Sequence, residues 1–197
     1  MKLYFFRHAM TAGNESHRYI GSTDDALSEA GIAGARRSGG CERVKTVYVT
    51  PLKRTRETAK ILFPKAEQII VDGLREMDFG AFENRSAAEM ASDDAYRAWV
   101  DGGCEGTCPG GESREDFCER VRSSFAALLP QLKECGEDAV FVVHGGTIMA
   151  LVSCFARPEM EYYDCAVKNC GGYCVELSEE NGEIIFTHLQ KLDLANI

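Results

Sequence analysis

Long apolar runs are missing from this 197-residue sequence. No stretch reaches about 18 consecutive apolar residues, the length that a transmembrane helix requires. The apolar run near the N-terminus, Leu3 to Phe6, ends at Arg7 and is too short for the core of a signal peptide. We therefore expect a cytoplasmic location and no membrane partner.

Basic residues are in the minority. The sequence has 22 Lys and Arg residues against 31 Asp and Glu residues, and its formal net charge is -9 at pH 7. Surfaces that bind nucleic acids are basic because they face phosphate backbones. The acidic balance therefore predicts no nucleic-acid partner. Any anionic ligand should instead be held by a few arginines in a local pocket.

Motifs of nucleotide- and metal-dependent enzymes are also absent. The sequence has no GxxxxGK[ST] phosphate-binding loop and no clustered Asp and His set typical of a two-metal phosphatase. Its nine cysteines include two close pairs, Cys104 with Cys108 and Cys170 with Cys174, whose spacing differs from the CxxC of common zinc sites. We expect reduced thiols, no metal and no cofactor.

Strand and helix patterns alternate along the chain. The predicted strands are 2–7, 45–50, 68–71 and 139–143, followed by a hairpin of 173–177 and 184–189. The predicted helices are 28–38, 51 to just before Pro64, 113–135 and 145–155, with a shorter helical piece at 87–100. This order predicts an α/β three-layer sandwich: a mostly parallel central sheet with helices on both faces. We expect one domain, 1–197, with a small inserted cap at about 80–111.

Sparse, chemically useful residues follow three of these strands. His8 comes after the first strand, Arg54 after the second and His144 after the fourth. Sites in open α/β sheets form outside the carboxyl ends of the strands. We therefore expect these three side chains to meet at one edge of the sheet.

Four sequence blocks carry a family resemblance. They are RHAMTAGN at 7–14, TPLKRTRETA at 50–59, LREMDFG at 74–80 and VHGG at 143–146. In this order and spacing they resemble the histidine phosphatase superfamily, also called the phosphoglycerate mutase-like family, from Leu3 to about Ala150. The segment PGGES at 109–113 resembles a further segment common in that family.

The resemblance and the chemistry of phosphate esters together imply roles for five residues. A phosphate monoester carries close to two negative charges near pH 7, and arginine forks match its oxygens, so Arg7 and Arg54 are expected to bind it. His8 is expected to attack phosphorus with a neutral ring nitrogen and form a phosphohistidine. His144 is expected to donate to a phosphate oxygen in the transition state. Glu76 is expected to protonate the leaving oxygen and then to activate water.

Five more residues are expected near the phosphate. Asn14, the backbone amide of Gly21 and Gly145 are predicted phosphate-binding groups. Thr11 either holds the loop or touches phosphate. Arg18 either binds substrate or braces the same loop. Asp72, Asp78 and Glu83 are alternatives to Glu76 as the acid.

The four residues that follow Glu76 indicate which activity within the family to expect. Residues 77–80 read MDFG, which resembles the phosphatase branch with its α-ribazole phosphatases and broad-specificity small-molecule phosphatases. Mutases that use bisphosphoglycerate typically have Arg-His-Tyr-Gly after the acidic residue. We therefore predict a metal-independent phosphatase for small-molecule phosphate monoesters, with its specificity set by the acidic cap.

Three other functions stay open on sequence grounds. They are a 2,3-bisphosphoglycerate-dependent phosphoglycerate mutase, a phosphatase acting on phosphohistidine or phosphotyrosine in proteins, and a non-catalytic phosphate-binding regulatory domain. The presence of both His8 and Glu76 argues against the last of these. Neither the physiological substrate nor the oligomeric state follows from the sequence.

Overall fold

The computed structural model describes residues 1–193. Its strands are β1 (Lys2–Arg7), β2 (Thr46–Val49), β3 (Glu67–Ile70), β4 (Ala139–Val143), β5 (Gly171–Glu180) and β6 (Glu183–Asp193). Its α-helices are α1 (Ala12–Glu15), α2 (Glu29–Arg37), α3 (Lys53–Leu62), α4 (Asp94–Asp101), α5 (Arg114–Cys135) and α6 (Gly145–Phe155). The predicted domain includes 194–197, which lie outside the described residues. Within the described range, no helix is long and apolar enough to cross a membrane.

The six strands form one mixed sheet in the order β3-β2-β4-β1-β5-β6. The first four strands run parallel, with β4 between β2 and β1. β5 pairs antiparallel with β1, and β6 pairs antiparallel with β5. The predicted α/β class with a mostly parallel sheet is confirmed. The parallel arrangement places the carboxyl ends of β1, β2 and β4 at the same edge.

Alternating side chains give this sheet two apolar faces. Leu3 and Phe5 of β1 point to one face and pack in the cluster that contains the buried residues of α5 and α6. Phe6 points to the other face, in a cluster with Ala35 of α2 and Ala59 of α3. Because successive strand residues point to opposite faces, a short apolar strand is buried on both sides. The helices therefore lie on both faces, as expected.

The helix after β2 begins later than predicted. Pro51 favours a helix start, but α3 begins at Lys53 because Leu52 keeps an extended backbone with ψ of 137°. The Asp24 carboxylate accepts the backbone amide of Lys53 at 2.7 Å. A side chain from a distant loop thus satisfies one of the free amides at the helix start, which local sequence cannot indicate.

Residues 87–100 are helical only in their second half. The chain forms turns up to Asp93, and α4 covers Asp94–Asp101. The Asp93 carboxylate accepts the amides of Ala95 and Tyr96, so it caps the helix and fixes its start. The residues predicted as a cap, 80–111, therefore form mainly turns around one short helix. The terminal hairpin is longer than its predicted strands at 173–177 and 184–189.

Candidate active site

Three strand ends bring the predicted catalytic residues together. Arg7 ends β1 and pairs in register with Val143 of β4. His8 and His144 directly follow these two strands, and their ring centroids lie 5.3 Å apart. Arg54 lies in the first turn of α3, which follows β2. The sequence expectation that one sheet edge collects these side chains agrees with their placement.

His8 is held as a neutral imidazole. Its side chain is only 3% exposed, and Nδ1 lies 2.7 Å from the backbone carbonyl oxygen of Ala9. Since a carbonyl oxygen only accepts, Nδ1 carries the proton and Nε2 keeps its lone pair. Burial, and then the charges of Arg54 and Arg7, hold the pKa of His8 well below its ordinary value of 6.5. The unprotonated Nε2 is the form that can attack phosphorus.

Arg7 carries a buried donor without a partner. Its Nη1 donates to the carbonyl of Val167 at 2.9 Å, while Nε makes no hydrogen bond with any of residues 1–193. A Cβ on Gly145 would lie 3.3 Å from that Nε, so this glycine lets the start of α6 pack against the guanidinium. Gly145, predicted to bind phosphate, thus lies against the arginine that is expected to bind it. A buried, charged donor of this kind is suited to an anionic ligand.

Arg54 is fully buried, and most of its N–H groups already donate hydrogen bonds within the protein. Its Nη1 donates to the Thr23 carbonyl at 2.7 Å, and Nη2 donates to the carbonyls of Gly21 at 2.8 Å and Ile20 at 3.4 Å. Its Nε donates to Nδ1 of His144 at 3.2 Å. An arginine has five N–H groups, so one has no partner among residues 1–193 and remains for a ligand. Arg54 therefore fixes loop 20–23 and His144 while keeping one donor free.

Both ring nitrogens of His144 are engaged. Nδ1 accepts from Arg54, and Nε2 lies 2.9 Å from Oγ1 of Thr50. The residue is fully buried, and burial together with the charge of Arg54 holds its pKa well below 6.5. Donation from His144 to a phosphate oxygen requires one of these bonds to be exchanged, so that role stays a prediction. Thr50 is a contact that sequence reasoning missed.

Glu76 lies beside both arginines and the start of α6. Its Oε2 accepts the amide of Gly146 at 3.0 Å, and its Oε1 accepts the amide of Met77 at 3.1 Å. Burial raises the pKa of Glu76, although these two amides and the charges of Arg54 and Arg7 act in the opposite direction. A carboxyl group with a raised pKa is suited to proton transfer near neutral pH.

Arg120 anchors the segment that carries Glu76. It donates to the backbone carbonyls of Gly73, Arg75 and Glu76, and two further donors bind the Glu112 carboxylate at 2.7 and 2.8 Å. Sequence reasoning missed this role for Arg120. The sequence signal nearest to it was the PGGES segment, whose Glu112 precedes Arg120 by eight residues.

The acidic alternatives to Glu76 have other roles in the structure. Asp72 forms an exposed ion pair with Arg75. Asp78 accepts the amide of Gly80 at 2.9 Å, close to its own position in the chain. Glu83 is committed to the loop that begins at Gly21. Of the four carboxylates, only Glu76 contacts the start of α6 and also lies beside both Arg7 and Arg54.

Glu83 binds the loop opposite Arg54. Its carboxylate accepts the amides of Gly21, Ser22 and Thr23, the Thr23 hydroxyl at 2.6 Å and the amide of Phe79. Burial by itself raises its pKa, but these donors outweigh that effect and hold the pKa below its ordinary value. The Gly21 amide therefore points to Glu83 at 3.0 Å, and its predicted donation to phosphate is not available in this arrangement.

Thr11 and Asn14 form a reciprocal cap on α1. The Thr11 hydroxyl accepts the amide of Asn14, and the Asn14 side-chain oxygen accepts the amide of Thr11. Asn169 donates to that same oxygen at 3.2 Å and to the His8 carbonyl at 3.0 Å. The Asn14 oxygen is therefore occupied, which leaves its amino group as the donor for a ligand. Thr11 holds the loop, one of its two predicted roles.

Asn169 was missed by sequence reasoning. It lies 155 residues from Asn14 and 161 residues from His8 along the chain, and no motif or spacing connects them. Only the pairing of β5 with β1 brings this segment to the site. Arg18, in contrast, lies at the edge of the site region. It forms an ion pair with Glu89 at 2.7 Å and donates to the Asn84 carbonyl, so it braces the loop.

The two buried histidines predict a loss of stability in acid. Because their folded pKa values are lowered, their contribution is complete above about pH 6.5 and is lost as the pH falls below that value. Each histidine adds up to about 1.4 kcal/mol per pH unit to the slope of the unfolding free energy. Urea denaturation between pH 7 and pH 5.5 should show a smaller slope for His8→Asn than for the wild type. Equal slopes for His8→Asn and the wild type would contradict the assignment.

Comparisons with known proteins agree with this geometry. The family model of the histidine phosphatase superfamily (branch 1) matches residues 3–188. A Hydrogenobacter thermophilus protein provisionally named phosphoserine phosphatase 2 is 30% identical over 97% of this chain and 96% of its own. The 2,3-bisphosphoglycerate-dependent phosphoglycerate mutase 2 of Gloeobacter violaceus is 31% identical over 76% of this chain and 73% of its own.

A solved structure shows the same fold over nearly the whole chain. The α-ribazole phosphatase of Shigella flexneri superposes with a TM-score of 0.81 at 22% identity, covering 99% of this chain and 98% of that one. The resemblance carried by the four sequence blocks is confirmed. The chain belongs to branch 1 of the histidine phosphatase superfamily and is an enzyme that acts on phosphate esters.

Proposed function

We propose that this enzyme is a metal-independent phosphatase that hydrolyses small-molecule phosphate monoesters through a phosphohistidine at His8. The observation that carries the proposal is the bond from Nδ1 of His8 to the Ala9 carbonyl. It leaves an unprotonated Nε2 beside two arginines, the fully buried Arg54 and the half-buried Arg7, whose buried Nε has no hydrogen-bond partner among residues 1–193. A neutral nucleophile next to fixed positive charge is the arrangement that attack on an anionic phosphoryl group requires.

The first step transfers the phosphoryl group to the enzyme. Nε2 of His8 forms a bond to phosphorus while the bond from phosphorus to the ester oxygen breaks. Glu76 gives its proton to that oxygen, and the alcohol leaves. Arg7 and the free N–H of Arg54 bind the phosphoryl oxygens, with the Asn14 amino group as a neutral donor. These guanidinium groups supply the charge stabilisation, so the proposed mechanism needs no metal.

The second step returns the enzyme to its starting state. Glu76, now a carboxylate, takes a proton from water as the water oxygen attacks phosphorus. The bond between phosphorus and Nε2 breaks, and inorganic phosphate leaves. A raised pKa suits Glu76 to both steps, because it must donate a proton in one and accept a proton in the other.

Hydrolysis is favoured over mutase chemistry by the segment after Glu76. Residues 77–80 read MDFG and place no positive charge beside the acid. A mutase must hold the carboxylate of a phosphoglycerate, which calls for additional basic side chains near the phosphate. The relative named as a phosphatase also aligns over more of this chain than the mutase does.

We further propose that residues 80–111 determine which alcohol is accepted. This segment contacts loop 20–23 through Glu83, and it contacts Arg18 through the ion pair with Glu89. Its acidic character and the net charge of -9 favour a small ester over a nucleic acid or a membrane-bound substrate. A cytoplasmic location fits such a substrate.

A panel of esters assayed in EDTA tests the proposed function. The panel comprises p-nitrophenyl phosphate, O-phosphoserine, α-ribazole phosphate, sugar phosphates and 3-phosphoglycerate, the last with and without 2,3-bisphosphoglycerate. We expect EDTA-resistant release of inorganic phosphate from at least one small ester. Conversion of 3- to 2-phosphoglycerate without phosphate release would identify a mutase instead. Phosphate binding without any turnover would favour the regulatory domain.

A further inference from the structure

A chain of buried hydroxyl groups ends on His144. Oγ1 of Thr50 lies 2.9 Å from Nε2 of His144 and 2.9 Å from Oγ1 of Thr55. Oγ1 of Thr55 in turn donates to a backbone carbonyl, that of Leu52 at 2.9 Å or that of Thr50 at 3.1 Å. Thr50, Thr55 and His144 are all fully buried. Three elements contribute to the chain: the end of β2, the first turn of α3 and the start of α6.

The partners assign every proton in this chain. Arg54 Nε always carries a hydrogen, so Nδ1 of His144 must be the acceptor and the ring proton must be on Nε2. Nε2 then donates to Thr50, whose own hydrogen goes to Thr55. The Thr55 hydroxyl donates a hydrogen bond to a backbone carbonyl, which can only accept. Each hydroxyl therefore accepts one hydrogen bond and donates another, and none is left unsatisfied.

The opposite tautomer does not fit this site. With the proton on Nδ1, the N–H groups of His144 and Arg54 would face each other in a buried space. Nε2 would then need a donor, so Thr50 would have to give its hydrogen to Nε2 and accept one from Thr55, and the bond from Thr55 to a backbone carbonyl would be lost. A buried unsatisfied donor costs about as much as a lost hydrogen bond or more. The two threonines therefore favour the same tautomer of the ring that the Arg54 Nε–H requires.

We propose that Thr50 and Thr55 are positioning residues that hold His144 in its Nε2-protonated tautomer, so that Nδ1 anchors the Arg54 guanidinium for the phosphoryl group. This inference rests on the proposed function for its catalytic consequence. In the unliganded enzyme, His144 then acts by holding the Arg54 guanidinium in place through its Nδ1. Arg54 also holds loop 20–23, so a change in its anchor affects the geometry of the whole phosphate site.

The tautomer is measured directly by nitrogen-15 NMR of the imidazole rings in the full-length protein. The chain has four histidines, and the variants His17→Asn and His188→Asn assign the two exposed ones. The shifts of the remaining rings show which nitrogen carries the proton. In the wild type, His144 should show a protonated Nε2 and an unprotonated Nδ1. A wild-type His144 protonated on Nδ1 would overturn the proposal without any variant.

Matched variants test the hydroxyl groups themselves. Thr50→Val and Thr55→Val keep the side-chain shape and remove the hydroxyl, whereas Thr50→Ser and Thr55→Ser keep the hydroxyl. The valine variants should lose the single tautomer of His144, and their kcat/KM for p-nitrophenyl phosphate should fall roughly tenfold to hundredfold. The serine variants should retain the wild-type tautomer and most of the activity. Circular dichroism and thermal unfolding confirm that each variant is folded.

The outcomes separate this inference from the proposed function. Valine variants with an unchanged His144 signature and wild-type kcat/KM would overturn the positioning role. A complete lack of turnover in the wild type would contradict the proposed function, and the nitrogen signatures would still decide whether the threonines set the tautomer. Loss of activity in both serine and valine variants, with the tautomer unchanged, would assign the threonines to packing and would also overturn the proposal.

Discussion

Replacement of His8 by asparagine is expected to reduce phosphate ester hydrolysis by roughly four orders of magnitude or more. The asparagine amide can still donate to the Ala9 carbonyl, as Nδ1 of His8 does at 2.7 Å. It has no counterpart to the unprotonated Nε2. The variant should therefore keep the local structure and lose only the nucleophile. Initial rates of p-nitrophenolate release, measured beside thermal unfolding, test this expectation.

The chain offers a matched control for this substitution. His188 lies on β6, is exposed, and has a positive φ of 51°, which asparagine tolerates better than most residues. His188→Asn should change the rate by no more than about twofold. His8→Asn should still bind inorganic phosphate, since Arg7 and Arg54 remain. If His8→Asn retained more than about one per cent of the wild-type rate, another nucleophile would have to be sought.

Replacement of Glu76 by glutamine should separate the two chemical steps. With a poor leaving group such as an alkyl alcohol, the first step needs the Glu76 proton, and its rate should fall about 10²- to 10⁴-fold. p-Nitrophenolate leaves without protonation, so this ester should still phosphorylate His8. Hydrolysis of the phosphohistidine still needs Glu76 as base. Rapid mixing should therefore show a burst of about one p-nitrophenolate per active site, followed by slow turnover.

A neighbouring carboxylate provides the control for Glu76. Asp72 is exposed, pairs with Arg75 and precedes Glu76 by four residues. Asp72→Asn should hydrolyse both the alkyl and the nitrophenyl ester at wild-type rates, and its p-nitrophenolate burst should match that of the wild type. Equal losses for alkyl and nitrophenyl esters in Glu76→Gln, with no burst, would contradict an acid–base role. Such a result would indicate that the contacts of Glu76 with the amides of Gly146 and Met77 are structural.

The strands and the residues that follow them were predictable from the sequence. Apolar strands such as β1 and β4 have a local signature, and the carboxyl ends of adjacent parallel strands share one edge by geometry. His8 and His144 therefore lie together in the structure, as their positions after two strands predict. Arg54 follows from the same reasoning. These predictions depend on local pattern and on one rule of sheet topology.

The supporting contacts were not predictable, because their partners are distant in the chain. Asn169 reaches Asn14 only after β5 has paired with β1. Thr50 looked like an ordinary strand-end residue, and its contact with His144 depends on the position of β4 between β1 and β2. The amide of Gly21 was expected to face phosphate, but the carboxylate of Glu83 accepts it. Sequence patterns identify the groups that do chemistry more readily than the groups that hold them.

Sequence signals for the ends of helices also failed where a side chain from a distant loop caps the helix. Pro51 suggested the start of α3, yet the Asp24 carboxylate accepts the amide of Lys53 and the helix begins there. A residue 29 positions earlier in the chain thus fixes a boundary that local propensity places differently. Capping by side chains from loops is a tertiary interaction, so it becomes visible only in the folded chain.

The covalent intermediate is the central claim, and trapping it is the most direct test. The enzyme would be mixed with a phosphorus-32-labelled ester, quenched in alkali, digested and analysed for the labelled peptide. We expect one phosphoryl group per chain, labile in acid and stable in base, on His8, with a greater yield in Glu76→Gln. Steady turnover of the ester with no label on His8, or with the label on another residue, would contradict the account.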